Sequence, residues 1–317
     1  MTSTMSTLTD DAGLKSLPKK AFGLLGLKIS RIEPEVDLLR RVEVSELGQQ
    51  VLDEIRPYRP TADSAIKTLA KKAFGFLGLK ISRIDTELNV VEASPLDLQI
   101  MGAIQAYTMT SPARVWALLN AIQYISDNSI EGDFCECGVW RGGSSMAAAL
   151  KLKSVGNLRR LWLYDTFSGM SEPTIYDKCI TRAVPVYREW KKHRHGDALN
   201  KWCFASLDEV QRNIKSTGYP TDLVRFVVGK VEQTLSVPSN IPDTIALLRL
   251  DTDWYESTKA ELEALYEKLS PGGVLILDDY GHWEGVRRAV DEFFASRPHK
   301  ILLDRIDQGA RIAIKIA

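Results

Sequence analysis

The sequence predicts an α/β protein, with a doubly wound, mainly parallel sheet, an antiparallel C-terminal strand and a mainly helical, duplicated N-terminal segment. Three observations predict this architecture. From residue 111 onward, runs with strand periodicity alternate with runs of helix periodicity, as in parallel strands joined by crossover helices. The last two apolar runs, 300–304 and 310–317, are separated by only RIDQG, too short for a crossover helix, so they should pair antiparallel. Residues 15–35 and 67–87 are identical at 16 of 21 positions, which indicates a duplication.

The duplicated unit is about 50 residues long, because the similarity continues, after a change of register, from 42–61 to 91–110. We therefore expect a first repeat unit within residues 1–66, a second unit at 67–110 that leads into the main domain, and the main domain at 111–317. Each unit contains a predicted short helix, which ends at Gly26 in the first copy and at Gly78 in the second.

Each unit has a basic segment, 15–31 in the first and 67–83 in the second, with five Lys or Arg residues and no acid in each segment. These are Lys15, Lys19, Lys20, Lys28 and Arg31, and Lys67, Lys71, Lys72, Lys80 and Arg83. Basic residues beside Phe and Leu are typical of a segment lying on an anionic membrane, where each contributes about 1 kcal/mol. The other hypothesis is that the units pack against this protein or against a second copy of it.

Composition limits the classes of function that fit. The chain has 317 residues with 44% hydrophobic content, enough for a large core, and its 41 basic and 41 acidic residues give no overall field for nucleic acid. The first residues lack the apolar core of a signal peptide, and no stretch approaches the roughly 18 apolar residues of a membrane span. Four cysteines without metal-site spacing favour the reducing cytoplasm.

The main domain has five predicted helices that alternate with five predicted parallel strands. The strands are at 133–138, 161–165, 224–229, 245–251 and 274–279, and the helices are at 111–125, 144–152, 206–214, 256–269 and 284–295. Ser111 is the expected cap of the first helix, with Pro112 in its first turn. In such sheets, ligands bind outside the carboxyl ends of the strands, so the loops at that edge are the candidate site.

A glycine-rich turn, ECGVWRGGSS, follows the first of these strands. Gly138, Gly142 and Gly143 allow a tight turn and a close approach to a ligand, although their spacing is not that of the dinucleotide fingerprint. Asp165 ends the next strand and offers two acceptor oxygens, which suit the two hydroxyls of a ribose. Together they favour an adenosine pocket; alternatively, the glycines form a simple turn and Asp165 caps a turn or helix.

Acidic residues end two strands that follow each other along the chain. Asp251 and Asp253 lie at the end of one, and Asp278 and Asp279 at the end of the next. If the strands are neighbours, three or four carboxylates converge at one edge of the sheet, where they suit a hard cation such as Mg²⁺. The alternative is that one of them caps a helix and the others are solvated.

Five segments together resemble the macrocin O-methyltransferase (TylF) family. They are GDFCECGVWRGGSS, LYDTFSGM, LRLDTDWYEST, LSPGGVLILDDYGHW and GVRRAVDEFF, and the resemblance covers roughly residues 91–317. The resemblance implies a class I methyltransferase fold, which is Rossmann-like, with S-adenosylmethionine as methyl donor and Mg²⁺ as cofactor. It further implies a sugar hydroxyl as acceptor and a homo-oligomer.

The resemblance also assigns roles to individual residues. It implies Asp251, Asp278 and Asp279 as metal ligands and Asp253 as general base, and His282 is a competing candidate base because histidine titrates near neutral pH. The expected donor-binding residues are Thr108, Met109, Thr110, Glu136, Gly138, Trp140, Arg141, Gly142, Gly143, Asp165 and Ser168.

The favoured hypothesis is therefore a Mg²⁺-dependent methyl transfer to a sugar hydroxyl of a glycan, a glycolipid or a glycosylated natural product. Two alternatives stay open: a catechol-like phenolic acceptor, and an inactive donor-binding module that docks at a membrane or partner. The segment 171–205 is rich in aromatic and basic residues, which suits a lid over a carbohydrate or an anionic glycoconjugate.

Overall fold

The structure is a computed structural model that describes the backbone at 27–31 and 79–83 and the chain at 92–181, 185–196 and 199–316. The chain forms two compact units, residues 1–87 and 88–317. In the first unit, strands β1 (Leu27–Arg31) and β2 (Leu79–Arg83) pair antiparallel. Both strands have the sequence LKISR, so the same segment of the two repeats forms the pair, and Ile29 lies opposite Ile81 at its centre. The helices predicted before Gly26 and Gly78 lie outside the described residues.

The second unit contains a seven-stranded sheet within the described part of the chain, in the order β10-β11-β9-β8-β3-β4-β7. Its strands are β3 (Asp133–Cys137), β4 (Leu161–Asp165), β7 (Val224–Val228), β8 (Ile245–Leu250), β9 (Leu269–Leu277), β10 (Asp304–Arg305) and β11 (Arg311–Ile314). Strands β3, β4, β7, β8 and β9 run parallel, whereas β11 pairs antiparallel with β9 and β10 antiparallel with β11. The predicted doubly wound, mainly parallel sheet with an antiparallel C-terminal strand is therefore confirmed.

Helices cover both faces of the sheet. They are α1 (Pro95–Ile104), α2 (Pro112–Asp127), α3 (Gly143–Ser154), α4 (Val186–His193), α5 (Leu207–Ser216), α6 (Val231–Thr234), α7 (Tyr255–Leu265) and α8 (Glu284–Ala295). A small antiparallel pair, β5 (Arg194–His195) with β6 (Leu199–Asn200), follows α4. Among the described residues, no helix is both long and apolar enough to cross a membrane.

The core has two apolar layers, one on each side of the sheet, because successive strand residues point to opposite faces. Phe134 of β3 packs in the layer with α2 and α3, and Cys135 packs in the layer with α7 and α8. All six residues of β8 are buried, as expected for a central parallel strand covered on both faces.

Local signals position the helices that support the site. Ser111 Oγ accepts a hydrogen bond from the backbone N–H of Arg114, so α2 begins where its cap was predicted. Ser94 and Asp97 form a capping box at the start of α1. Asp97 also pairs with Lys151 of α3 at 2.9 Å, and because both are buried, this ion pair fixes α1 against α3.

Strands β9 and β10 differ from the prediction in their bounds. Strand β9 begins at Leu269, the last residue of the predicted helix, and includes the Ser-Pro-Gly-Gly segment that was expected to be only a helix-ending turn. Leu269 is in the strand because it pairs with Ile245 of β8, and Gly272 and Gly273 exchange backbone hydrogen bonds with Lys315. Of the predicted strand at 300–304, only Asp304 is in β10, where it pairs antiparallel as expected.

Candidate functional site

The glycine turn between β3 and α3 is tightly packed. Gly138 and Gly142 have φ values of +85° and +88°, a region that favours glycine. A Cβ on Gly138 would lie 1.9 Å from the backbone oxygen of Asp251, and one on Gly143 would lie 2.5 Å from that of Tyr107. Glycine therefore lets the turn fit between the end of β8 and the segment before α2.

Asp165, at the end of β4, holds this turn through backbone hydrogen bonds. Its Oδ2 accepts from the N–H groups of Val139 at 2.7 Å and Trp140 at 2.9 Å, and its Oδ1 accepts from Phe167 N at 2.8 Å. Burial raises the pKa of Asp165, and these N–H donors oppose that rise. The carboxylate lines the cleft described next, so a contact with a ribose would add to a role in the turn.

A cleft of about 110 Å³ lies at the carboxyl ends of the parallel strands. This volume is smaller than the roughly 300–1,000 Å³ of typical small-molecule sites, so the position of the cleft at the strand ends, and not its size, marks it as the candidate site. The cleft brings together six of the predicted site residues, which are Met109, Gly138, Trp140, Asp165, Asp251 and Asp253. It also has lining residues that the sequence did not single out, among them Met170, Ser171, Cys203, Gly229, Lys230, Thr252 and Ser257. The GKVE turn follows β7, the third predicted parallel strand along the chain, so its place at this edge could have been predicted from the sequence.

Other predicted donor residues support the cleft without lining it. Glu136 is buried, accepts from Arg249 at 2.7 Å and is hydrogen-bonded by Ser145. The Glu136 side chain is on the same face of β3 as Phe134. It therefore points towards α3 and Arg249, and not into the cleft. Arg141 pairs with Glu209 of α5 at 2.6 Å and donates to Ala106 O at 2.8 Å. Both therefore hold neighbouring elements together.

The remaining residues predicted to bind the donor make contacts within the protein. Thr108 Oγ1 accepts from Thr110 N, and Thr110 Oγ1 accepts from Arg249. Ser168 N donates to Thr166 Oγ1. Gly142 precedes α3, and Gly143 is the first residue of that helix. The segment around Thr108 thus packs on the glycine turn, and only Met109 of its three predicted residues reaches the cleft.

Three predicted metal ligands converge at the same edge. Oxygen atoms of Asp251, Asp278 and Asp279 all lie within 4.8 Å of one another. Strands β8 and β9 are parallel neighbours, and Asp278 N donates to Leu250 O, which brings the two acidic segments together. Strand β8 ends at Leu250 and Asp253 has φ +67°, so the turn after the strand sets the position of Asp253.

Two arginines balance part of this negative charge. Arg249 pairs with Asp251 at 2.8 Å and Asp278 at 2.7 Å, in addition to Glu136. Arg114 of α2 pairs with Asp278 and, at 2.8 Å, with Asp307. The sequence analysis missed both, although a charged residue inside the apolar run IALLRL was a visible signal, because arginine is almost never fully buried without a partner.

The electrostatics of the acids are those of crowded, buried carboxylates. Burial, followed by the charges of Asp253, Asp251 and Asp278, raises the pKa of Asp279 well above its ordinary value. Burial also raises the pKa of Asp251 despite the nearby Arg249. Asp279 Oδ2 is buried and has no hydrogen-bond partner among the described residues. This edge of the sheet therefore favours a proton or a cation.

The two candidate bases are in different surroundings. Burial raises the pKa of Asp253 to about 6, although Trp283 Nε1 donates to its Oδ1 at 2.6 Å. The His282 ring packs edge-on against Trp283, with centroids 4.7 Å apart, and His282 is not among the residues that line the cleft. Asp253 is thus the candidate base that faces the cleft.

The segment predicted as a lid packs beside the cleft. Met170 N donates to Trp202 O, Trp190 Nε1 donates to Met170 O at 3.0 Å, and Asn200 N donates to Ser168 O. Trp202 in turn packs edge-on against Trp254 with centroids 5.9 Å apart. Hydrogen bonds therefore attach this segment to the loop of Ser168 and Met170, and aromatic packing attaches it to Trp254.

Comparison with known proteins decides the family. The family model described as Macrocin-O-methyltransferase (TylF) matches residues 34–312, most of the chain. The chain belongs to this family. It is an S-adenosylmethionine-dependent O-methyltransferase, so the resemblance seen in the sequence is confirmed and an inactive module is set aside. The family match begins well before residue 91, where the motif resemblance begins.

Three relatives illustrate the membership. A tetracenomycin-C rhamnosyl 4'-O-methyltransferase from Streptomyces olivaceus is 35% identical over 59% of this chain and 67% of its own. Demethyldecarbamoylnovobiocin O-methyltransferase from Streptomyces niveus is 33% identical over 60% of this chain and 68% of its own. The solved structure of the O-methyltransferase NovP has 29% identity and a TM-score of 0.57, covering 67% of this chain and 83% of that one.

Proposed function

We propose that this family member transfers the methyl group of S-adenosylmethionine to a hydroxyl of a sugar in a glycan, a glycolipid or a glycosylated natural product, with Mg²⁺ bound at the acidic edge. The proposed Mg²⁺ is supported by the carboxylate oxygens of Asp251, Asp278 and Asp279, which lie within 4.8 Å of one another at the edge of the sheet where the cleft lies. The sugar acceptor is supported by the Streptomyces olivaceus relative, whose name describes methylation of a rhamnosyl compound.

The side chains fit a hard cation. Asp279 Oδ2 is a buried oxygen without a hydrogen-bond partner among the described residues, and the neighbouring carboxylates raise the pKa of Asp279. Asp278 already accepts hydrogen bonds from Arg114 and Arg249, so Asp251 and Asp279 have more oxygen lone pairs available for a cation. Mg²⁺ binds a few carboxylates and keeps other positions for water or substrate. When bound, it would orient an acceptor hydroxyl and lower the pKa of that hydroxyl.

The chain's own residues would perform the remaining steps. The glycine turn, held by Asp165, would form one wall of the donor pocket, and Met109 would lie over it. Asp253 would accept the proton of the acceptor hydroxyl at its carboxylate, because a pKa of about 6 leaves it mostly ionised near neutral pH. Trp283 would orient that carboxylate through its indole N–H. His282 is the competing base.

The N-terminal repeats suggest attachment beyond the active site. We propose that their basic residues bring the enzyme to an anionic membrane surface from the cytoplasmic side, which would suit a glycolipid acceptor. The described backbone pairs Lys28 with Ser82 and Ser30 with Lys80, so basic residues of both copies belong to one ribbon. A homo-oligomer also remains a proposal.

The test compares Asp279→Asn with the wild-type enzyme. We expect Asp279→Asn to keep S-adenosylhomocysteine binding, to lose the Mg²⁺-induced thermal shift, and to lose methyl transfer to a panel of glycosylated acceptors. EDTA should abolish turnover of the wild type. Asp279 is preferred to Asp278 for this test because Asp278 makes two ion pairs, so its loss would also affect folding.

The matched control is Asp307→Asn. It removes one carboxylate that pairs with Arg114 but lies outside the three converging acids, so the Mg²⁺ response should persist. Full turnover of the wild type in EDTA, or an unchanged Mg²⁺ shift in Asp279→Asn, would remove the metal from the proposed function.

A further inference from the structure

Glu261, on α7, is a buried carboxyl group for which the proposed mechanism has no use. Its side chain is 0% exposed, and neither carboxyl oxygen has a hydrogen-bond partner among the described residues. It lies one helical turn after Ser257, which lines the cleft. The group is therefore close behind the wall of the site without touching the solvent in it.

The surroundings of Glu261 favour its neutral form. Burial raises the pKa of Glu261 well above its ordinary value, and the charges of Glu232, Asp251 and Asp253 raise it further. No ion pair joins Glu261 to a basic residue in the described part of the chain, so nothing there compensates a negative charge. A neutral carboxylic acid has one O–H donor to share with a neighbour.

The neighbour is Thr252, which lines the cleft between Asp251 and Asp253. As a donor to an ionised carboxylate, the Thr252 hydroxyl would lower the pKa of Glu261, but burial outweighs this effect, and in the described positions the two groups do not complete a hydrogen bond of normal geometry. Thr252 Oγ1 is also buried and lacks another partner among the described residues. Two adjacent buried polar groups without partners complement each other, since one offers a proton and the other a lone pair.

The turn that contains Thr252 needs support. Asp253 has φ +67°, in the left-handed region that non-glycine residues adopt at a cost, so neighbouring contacts must maintain it. Asp251 O is packed against Gly138, and Trp254 N donates to Thr252 O. A shift of the turn would therefore move both the acids and one wall of the donor cleft.

We propose that Glu261 is a positioning residue which, as a neutral acid, donates a hydrogen bond to Thr252 Oγ1 and so fixes the turn of Asp251 and Asp253. The inference deepens the proposed function, because it matters for the reaction only if that turn serves donor, metal or acceptor. Its structural part, a turn held by Glu261 at the wall of the cleft, can be tested with the donor product alone.

The test compares Glu261→Gln, Glu261→Met and Thr252→Val in the full-length protein, with the exposed Glu263→Gln on the same helix as control. Isothermal titration with S-adenosylhomocysteine, without added metal, gives affinity, and thermal unfolding gives stability. We expect Glu261→Gln and Glu263→Gln to bind like the wild type. Glu261→Met and Thr252→Val should each bind about fivefold more weakly, the loss of roughly one hydrogen bond.

Stability should fall together with affinity in the single variants. Glu261→Met removes the proposed hydrogen bond and leaves Thr252 Oγ1 buried without a partner, so its unfolding midpoint should be lower than that of the wild type. The double variant Glu261→Met with Thr252→Val should lose no more affinity than either single variant. If Glu261→Met does not fold, Thr252→Val alone decides the test.

Two outcomes would overturn the proposal: wild-type affinity in Glu261→Met or in Thr252→Val, or a loss in Glu261→Gln equal to that in Glu261→Met. The second outcome would mean that the negative charge, and not a donated proton, is what matters. Failure of the metal proposal would look different, because it would leave the metal-free affinities unaffected and remove only the Mg²⁺ response.

Discussion

Arg249 is the residue whose role is clearest from its contacts. It is almost completely buried and pairs with Glu136, Asp251 and Asp278, each from a different strand or strand end. The acids at these strand ends could be predicted from the sequence, because topology alone brings neighbouring strand ends together. Their partners could not, since which charges meet depends on which face of the sheet each side chain takes.

Replacing Arg249 should therefore destabilise the fold strongly. Arg249→Met leaves the buried carboxylates of Glu136 and Asp278 and the partly exposed one of Asp251 without their common cation, and breaking such a network costs about 3–5 kcal/mol. Urea unfolding followed by circular dichroism measures the change in the free energy of unfolding.

The matched control for Arg249→Met is Arg288→Met, which breaks the exposed pair with Glu292. Exposed pairs contribute about 0–1 kcal/mol, so the control should unfold nearly like the wild type. Equal effects of the two substitutions would show that the Arg249 network does not stabilise the folded state.

At the scale of elements, the site is an assembly of strand ends. The glycine turn after β3 packs against the end of β8, and Asp165 at the end of β4 holds the same turn. The sequence predicted these strand ends and the order of helices and strands, because helix and strand periods differ. It did not predict the early start of β9 or the short β10, since the bounds of each depend on how far it pairs with a neighbouring strand, β8 for β9 and β11 for β10.

Gly138→Ala tests how closely the turn fits. A Cβ there would meet the backbone of Asp251 at 1.9 Å, and the φ of +85° adds strain, so both stability and S-adenosylhomocysteine affinity should fall. We expect at least about a tenfold loss of affinity, because the backbone must move to relieve the contact. Thermal unfolding and calorimetry on the same sample measure both effects.

Gly102→Ala is the control for this substitution. Gly102 lies within α1 with nothing near its Cβ position, so alanine should stabilise the protein by about 0.5–1 kcal/mol without changing the affinity. A Gly138→Ala variant that binds as well as Gly102→Ala would contradict the close packing of the turn.

For the whole molecule, the unusual feature is the duplicated N-terminal segment. The repeats were visible in the sequence at once, and the described backbone pairs the identical strands β1 and β2. The family match from residue 34 includes the last part of the first copy, so the family resemblance extends further along the chain than its motifs indicated. The motifs are concentrated at the strand ends of the main sheet, which is why the motif resemblance covered only residues 91–317.

The membrane proposal predicts that full-length protein floats with vesicles containing anionic phospholipid and not with neutral vesicles. Replacing Lys19, Lys20, Lys71 and Lys72 with glutamine should weaken flotation substantially, since each basic residue near the surface contributes about 1 kcal/mol. Wild-type flotation in this variant, or no flotation of the unmodified protein, would favour packing of the repeats instead.

The most direct measurement is thermal unfolding of the full chain with and without S-adenosylhomocysteine, crossed with Mg²⁺ and EDTA. A ligand at 100 times its dissociation constant stabilises the folded state by about 2.7 kcal/mol, which should raise the midpoint by several degrees. We expect one rise with the nucleoside and a further rise with Mg²⁺, and Asp279→Asn should abolish the second rise. An unchanged midpoint at saturating nucleoside would contradict the assignment of the cleft as the donor site.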